Sequence, residues 1–296
     1  MRLISEFMHR PAAPVRSAAL ERLTALEREI PEWQSWAAML RVLAQAIGDP
    51  VWRDPVRDLT GVGGASPILD AQRLRLPEHA MSRLVQALLD IAQGTKARGD
   101  ANALDADSLL PLVHASITGD SRTIDTTAQS LGMRTAVLAT VLQAATLPLF
   151  SAGAAQLAHA IPSHWPHGFC PACGAWPVLA ELLGLDRSRR LRCGRCGTGW
   201  DMPWLVCAFC QEADHAKLGT LVPASGAQGH KIETCGTCRG YLKTIAVLKP
   251  GSHLDLLLAD LESVPLDVAA QGEGLVRPEG PGHPLTVSLV SEVSEQ

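Results

Sequence analysis

Cys170-Pro-Ala-Cys173, Cys193-Gly-Arg-Cys196, Cys207-Ala-Phe-Cys210 and Cys235-Gly-Thr-Cys238 decide how this chain is read. All eight cysteines of the 296 residues fall in these four pairs. A Cys-x-x-Cys turn aims two thiolates at one point, and two such turns complete a tetrahedron around zinc or iron. Glycine follows the second cysteine directly at Gly174 and Gly197, and one residue later at Gly240. Glycine there suits knuckle turns, whose backbone takes a left-handed conformation and points N–H groups at sulfur. The third pair lacks such a glycine, so its turn geometry is less defined.

Consecutive pairing places Cys170, Cys173, Cys193 and Cys196 in one site, and Cys207, Cys210, Cys235 and Cys238 in the other. The gaps within the two sites are 19 and 24 residues, each the size of a hairpin or loop in a zinc ribbon or rubredoxin-like unit. An interleaved cross-brace satisfies the same count. The consecutive arrangement is preferred because it makes the two units an internal repeat. Thiol–disulfide chemistry is the competing reading, but a redox pair normally opens a helix beside a βαβ unit, and the flanks here are turn-like and strand-like. A site with four protein ligands keeps no position open for water or substrate. The expected role is therefore structural rather than hydrolytic, with a one-electron couple added if the metal is iron.

Upstream of residue 165 the pattern is helical. Leu20, Leu23, Leu26 and Ile30 recur at helical spacing, as do Trp36, Met39, Leu40, Leu43 and Ile47. Met81, Leu84, Val85, Leu88 and Leu89 mark a helix over 78–93, and further helices are expected over 105–117, 122–131, 134–147 and 150–160. Residues 53–77, rich in Gly and Pro, read as a long connection. After Ile161 to Gly168, strand-like runs appear at Arg189 to Arg192, Trp204 to Val206, Lys231 to Thr234 and Tyr241 to Leu248, then a helix around 254–262. The tail from Gly272 reads as poorly ordered. The expected architecture is a mainly α N-terminal domain (1–165), two small β units of zinc-ribbon or rubredoxin-like type (166–203 and 204–250), and a C-terminal helix and tail (251–296).

Hydrophobic residues make up 47% and charged residues 19%, a globular composition, and the formal net charge of -4 gives no overall attraction to nucleic acid or anionic membrane. Met1 to Val15 has neither an apolar core segment nor a twin-arginine pair, so no export signal is read there. Thr135 to Ala158 lacks charge, yet Thr140, Gln143, Thr146, Pro148, Ser151 and Gln156 interrupt it; two buried helices meeting near Pro148 are expected rather than a stable membrane insertion. A cytoplasmic protein follows, in which clustered cysteines point to metal before disulfides.

Arg187, Arg189, Arg190, Arg192 and Arg195 read as a solvated hairpin, or as an edge for an anion or partner. His164, His167, His215 and His230 read as surface or supporting residues, since the cysteine count is already complete. Gly61-Val-Gly63-Gly64 lacks the preceding strand and immediately following helix of a phosphate-binding loop. No Ser/His/Asp or paired-carboxylate constellation stands out, and no catalytic site is expected.

The order Cys170-Pro-x-Cys173-Gly174, Arg190-Leu-Arg-Cys193-x-x-Cys196 with Trp200, Cys207-x-x-Cys210 and Glu233-x-Cys235-x-x-Cys238-x-x-Tyr241-Leu242-Lys243 resembles the formate dehydrogenase accessory protein family of FdhE type. The resemblance covers about residues 169–267, and a Pro67-x-Leu69-Asp70 segment adds to it upstream. It implies a cytoplasmic accessory or maturation factor, not an enzyme, that binds the catalytic subunit of respiratory formate dehydrogenase. It further implies that this enzyme needs the factor for activity, before export across the membrane. It also implies rubredoxin-like iron sites on all eight cysteines, zinc being the alternative. The helical half is then the docking surface or a homodimer contact. Two other classes stand beside it: a nucleic-acid-binding zinc-ribbon protein, and a small iron electron-transfer component. Nine Lys or Arg against six Asp or Glu over residues 168–248 give little support to nucleic acid.

Overall fold

A computed structural model describes residues 13–57, 66–94, 106–222 and 229–291. Gly61, Gly63 and Gly64 lie outside them. Among the described residues the N-terminal half is helical: α1 (Ala13–Glu29), α2 (Gln34–Ala46), α3 (Glu78–Gln93), α4 (Ala106–Thr118), α5 (Ser121–Ser130), α6 (Thr135–Ala145) and α7 (Leu147–Gln156). The apolar stripes are the packing faces. Met39 and Leu43 of α2, and Met81, Leu84, Val85, Leu88 and Leu89 of α3, are all buried in one cluster with Leu138, Leu142 and Phe150. The uncharged run Thr135–Gln156 is long and apolar enough to cross a membrane on length and composition alone. It divides at Thr146, the C-cap of α6, and half of its most apolar window is buried inside the molecule.

The expected connection over 53–77 holds a short strand, β1 (Arg73–Leu76), where Leu74 and Leu76 alternate inward. Its partner is not legible from local pattern, because that partner lies more than 200 residues further on.

The cysteine block forms a sheet. Its strands are β2 (Leu179–Leu183), β3 (Ser188–Arg192), β4 (Gly199–Asp201), β5 (Leu218–Leu221), β6 (His230–Cys235) and β7 (Tyr241–Val247). Their order, β4-β3-β2-β7-β6-β5, is two consecutive three-stranded antiparallel meanders, β2–β4 and β5–β7, set edge to edge. The seam is the parallel pair β2–β7, with Leu179 opposite Lys243 and Leu183 opposite Val247. The internal repeat is thus built into one six-stranded sheet, and each unit covers an edge that the other would leave open.

Trp204 to Val206 is not a strand. Arg189 donates to the carbonyl oxygens of Pro203 (2.9 Å) and Val206 (3.4 Å), and the Trp204 ring N–H donates to the Arg187 carbonyl (3.1 Å), so a side chain rather than a neighbouring strand takes up this backbone. The expected C-terminal helix is α8 (His253–Glu262), opened by a capping box between Ser252 and Asp255, and a second helix, α9 (Val264–Gly272), follows. Leu254 and Leu258 of α8 are buried with Leu23 and Leu26 of α1, which packs α8 against the first helix.

Among the described residues, the tail from Gly272 to Ser291 is ordered, contrary to the expectation from its Pro- and Gly-rich composition. Leu285 and Val287 are buried, and β8 (Ser288–Ser291) pairs in parallel with β1. Its hold is long-range hydrogen bonding to Asp70 and to the first knuckle, which composition does not reveal.

Candidate metal centres

Each Cys-x-x-Cys is closed by the same backbone hydrogen bond, from the first cysteine N–H to the carbonyl five residues on. The four are Cys170 to Ala175 (2.8 Å), Cys193 to Thr198 (2.9 Å), Cys207 to Glu212 (2.9 Å) and Cys235 to Gly240 (3.0 Å). The residue directly after each second cysteine is left-handed: Gly174 (φ 72°), Gly197 (φ 78°), Gln211 (φ 60°) and Arg239 (φ 57°). The third knuckle therefore has the geometry of the others without glycine, with Gln211 bearing the steric cost. In the fourth, Gly240 is needed for space and not for φ: a Cβ there would lie 2.7 Å from the Phe209 ring and 3.0 Å from Cys238 Sγ.

Sulfur-directed N–H groups come with these turns. Ala172 donates to Cys170 Sγ (3.3 Å), Phe209 to Cys207 Sγ (3.4 Å) and Gly240 to Cys238 Sγ (3.3 Å). Such donors offset the negative charge that four thiolates keep around a divalent ion.

The knuckles meet consecutively. The sulfurs of Cys170, Cys173, Cys193 and Cys196 form one group, those of Cys207, Cys210, Cys235 and Cys238 the other, and within each group all lie within 4.8 Å of one another. Individual separations are 3.6 Å (Cys170–Cys196), 3.4 Å (Cys173–Cys193) and 3.7 Å (Cys207–Cys238 and Cys210–Cys235). A tetrahedron with metal–sulfur bonds of about 2.3 Å has sulfurs about 3.8 Å apart, whereas a disulfide requires about 2.05 Å. The residues fit two four-coordinate ions. Each group could hold one.

The two groups differ in their surroundings. All four cysteines of the first are buried, and burial pushes the thiols of Cys170 and Cys193 well up from their ordinary range. In the second, Cys207 and Cys235 are buried, Cys238 is half-buried and Cys210 is exposed. Burial raises the Cys238 thiol to about 11. In each group two thiols, Cys170 with Cys193 and Cys207 with Cys238, thus resist ionising, which a bound cation relieves.

The first centre is held from several sides. Ile68 and Leu69 N–H groups donate to the carbonyls of Pro171 (2.8 Å) and Ala172 (3.0 Å), so the Pro67-x-Leu69-Asp70 segment is a strap along the first knuckle. A Cβ on Gly174 would lie 2.3 Å from the His283 carbonyl oxygen, and one on Gly197 would lie 2.8 Å from the His253 ring. The Arg195 guanidinium sits 3.9 Å over the Phe150 ring of α7, tying the second knuckle to the helical half. Around the knuckles run ring contacts from Trp165 through His167 and Phe169 to Trp176 and Phe209, with centroids 4.8 to 6.4 Å apart.

The arginine cluster is not a solvated hairpin. Arg192 pairs with Glu181 at 2.6 Å, both buried, and Arg189 pairs with Glu233 at 2.6 Å with its side chain buried. Arg190 pairs with Asp201 at 3.0 Å. Two of the five charges, Arg189 and Arg192, are buried against their own sheet, and the Arg190 pair lies at its exposed surface. Of the histidines singled out, His167 stacks on Phe169, His215 lies in a 3-10 turn, His230 opens β6 and His164 is exposed, and none belongs to either sulfur group.

Sequence reasoning missed Asp70 and Lys243 as structural keys. Lys243 Nζ, completely buried, contacts Asp260 Oδ1 and Asp267 Oδ2 at 2.6 Å each, and Tyr241 donates to Asp267 at 2.8 Å. This network fixes α8 and α9 on β7. A lysine in the middle of an apolar strand was the available signal. A cleft of about 690 Å³ runs between the helical half and the sheet, bordered by Trp36, Gln143, Trp176, Arg195 and Leu257.

No protein-family model matches the chain. It is 34% identical over 139 residues to a Protein FdhE homolog of Pectobacterium carotovorum, covering 45% of this chain and 44% of that one. It is 32% identical over 157 residues to the Pseudomonas aeruginosa homolog, covering 46% and 49%. The crystal structure of the FdhE protein from Pseudomonas aeruginosa superposes with a TM-score of 0.57 over 94% of this chain and 98% of that one, at 24% identity. The chain is similar to proteins of the FdhE family. The match spans less than half the length of these two curated FdhE homologs, while the FdhE fold is shared almost end to end. That fold is the one expected, a helical N-terminal half from the apolar periodicity and paired ribbon-like units from the cysteine spacing.

Proposed function

We propose that this chain is an accessory protein for formate dehydrogenase, acting in the cytoplasm on the catalytic subunit of the respiratory enzyme before its export. The observation that carries the reading is the FdhE-type order of four knuckles, gathered consecutively into two four-cysteine groups. Two metal ions, iron by the family resemblance or zinc by ligand chemistry alone, hold the ribbon units in shape. Each ion has a full set of protein ligands, so the chemistry on the client belongs to the client. The chain binds; it does not catalyse. In this reading the helical half faces the client, and a second copy of the chain is the other candidate for that surface.

The nucleic-acid reading loses its motive, because Arg189, Arg190 and Arg192 are engaged by Glu233, Asp201 and Glu181. The electron-transfer reading stands or falls with iron.

An anoxic pull-down from cells making respiratory formate dehydrogenase tests the proposal. Recovery of its catalytic subunit is the expected result, and recovery of nucleic acid or no specific protein from such cells would contradict it.

A further inference from the structure

We infer that the two centres are inequivalent in exchange: the second, at Cys210, is a port through which a thiophilic metal ion enters and leaves, and the first is closed for the life of the fold. This rests on the eight cysteines holding metal and goes beyond the accessory role, which needs no exchange.

Three independent features separate the centres. The first is burial. Cys170, Cys173 and Cys193 are 0% exposed and Cys196 4%, whereas Cys210 is exposed and Cys238 half-buried. Ligand exchange at a full tetrahedral site begins when one thiolate lets go and an incoming ligand or proton takes its place, and only an exposed sulfur allows that without opening the protein.

The second is the wall around each centre. The first knuckle carries the Ile68–Leu69 strap on its backbone, and the His283 carbonyl occupies the space beside Gly174. The second knuckle has His253 against Gly197, held by its own contact with the Gly194 carbonyl at 2.8 Å. Releasing an ion there requires the strap, the tail or α8 to move, and all three are packed into the core. The second centre has a hollow of about 120 Å³ beside it, lined by its own Cys207 and Cys235 together with Trp204, Leu205, Arg189 and Glu233. Trp204 and Leu205 at its rim are exposed, so the hollow opens to solvent.

The third is backbone. The turn behind Cys210 is closed by Gln211 at φ 60°, where the turns of the first centre use Gly174 and Gly197. A side chain in the left-handed region costs about 1 kcal/mol or more, which favours opening at this knuckle over the glycine knuckles.

Limiting chelation of the full chain loaded with two equivalents of zinc, followed by a pulse of a small alkylating agent and peptide mapping, decides the matter without any substitution. One equivalent should leave at least about tenfold faster than the other. The early label should fall on Cys210, then on Cys207, Cys235 and Cys238, while Cys170, Cys173, Cys193 and Cys196 stay unmodified. Early label on the first group, or equal label on both at every time, would overturn the inference. Loading below two equivalents would instead sink the premise that both groups hold metal, so the two failures are distinguishable. As a second arm, Cys210→Ser should abolish the fast phase and leave the slow one unchanged; loss of the slow phase instead would contradict the assignment.

Discussion

Asp70 Oδ1 accepts two hydrogen bonds from Thr286, from its backbone N–H and from its hydroxyl, each at 2.8 Å, across 216 residues of sequence. His283 Nε2 lies 3.1 Å from the other carboxylate oxygen. Two residues upstream the same segment is bonded to the first knuckle, so one short strap holds both the metal-ligating turn and the C-terminal tail. Asp70→Ala should free the tail and lower stability by about 1–3 kcal/mol. Lost amide protection over residues 283–291 in hydrogen exchange, with the helical half still protected, is the expected signature. Unchanged protection there would refute it.

The same contact sets a pH response. Burial alone would raise the Asp70 carboxyl, but hydrogen bonds from Thr286 and His283 outweigh it and hold the group below its ordinary range. A carboxyl with a lowered pKa contributes stability that is present above its ordinary value of about 4 and is lost as pH falls through the folded value. Acid titration followed by NMR should therefore detach the tail first in that window. The Asp70→Ala chain should show no such step.

Lys243→Met should be among the most damaging single changes outside the cysteines. It leaves the carboxylates of Asp260 and Asp267 facing each other with, among the described residues, only the Arg277 charge, 4.0 Å and 3.0 Å away, to oppose them. Removing one partner of a buried ion pair costs about 3–5 kcal/mol, measurable by urea unfolding. A second change, Asp267→Asn, should recover part of the loss, because it removes one of the stranded charges.

The knuckles give a paired prediction. Gln211→Gly should stabilise the metal-loaded chain by up to about 1 kcal/mol, because the left-handed backbone no longer crowds a Cβ. Gly197→Ala should destabilise it by about 1–3 kcal/mol through collision with the His253 ring. Denaturant midpoints would show both signs, and a destabilising Gln211→Gly would contradict the turn geometry.

What could be read in advance follows from how local each determinant is. The 78–93 helix carries a strong 3.6-residue stripe and appears as α3 with those bounds. The sulfur grouping followed from spacing, because a Cys-x-x-Cys turn is a local motif and the repeat chose the pairing. β2 was missed because Leu-Ala-Glu-Leu-Leu is buried on both faces and shows no alternation. β4 and β5 are too short, at three and four residues, to carry a pattern. The ordered tail and the Asp70 strap were hidden for a different reason: their partners are long-range, and neither composition nor periodicity encodes contact at such separation. Trp204 to Val206 looked like a strand from residue type, but a buried arginine from β3 takes its carbonyls.

Consecutive pairing of the knuckles is the claim on which the rest stands, and native mass spectrometry of two double variants tests it most directly. Cys170→Ser with Cys193→Ser strikes one centre twice, so one metal ion should remain per chain. Cys170→Ser with Cys207→Ser strikes both centres, so none should remain. The reverse pattern, no metal in the first variant and one ion in the second, would show the interleaved cross-brace and contradict the account.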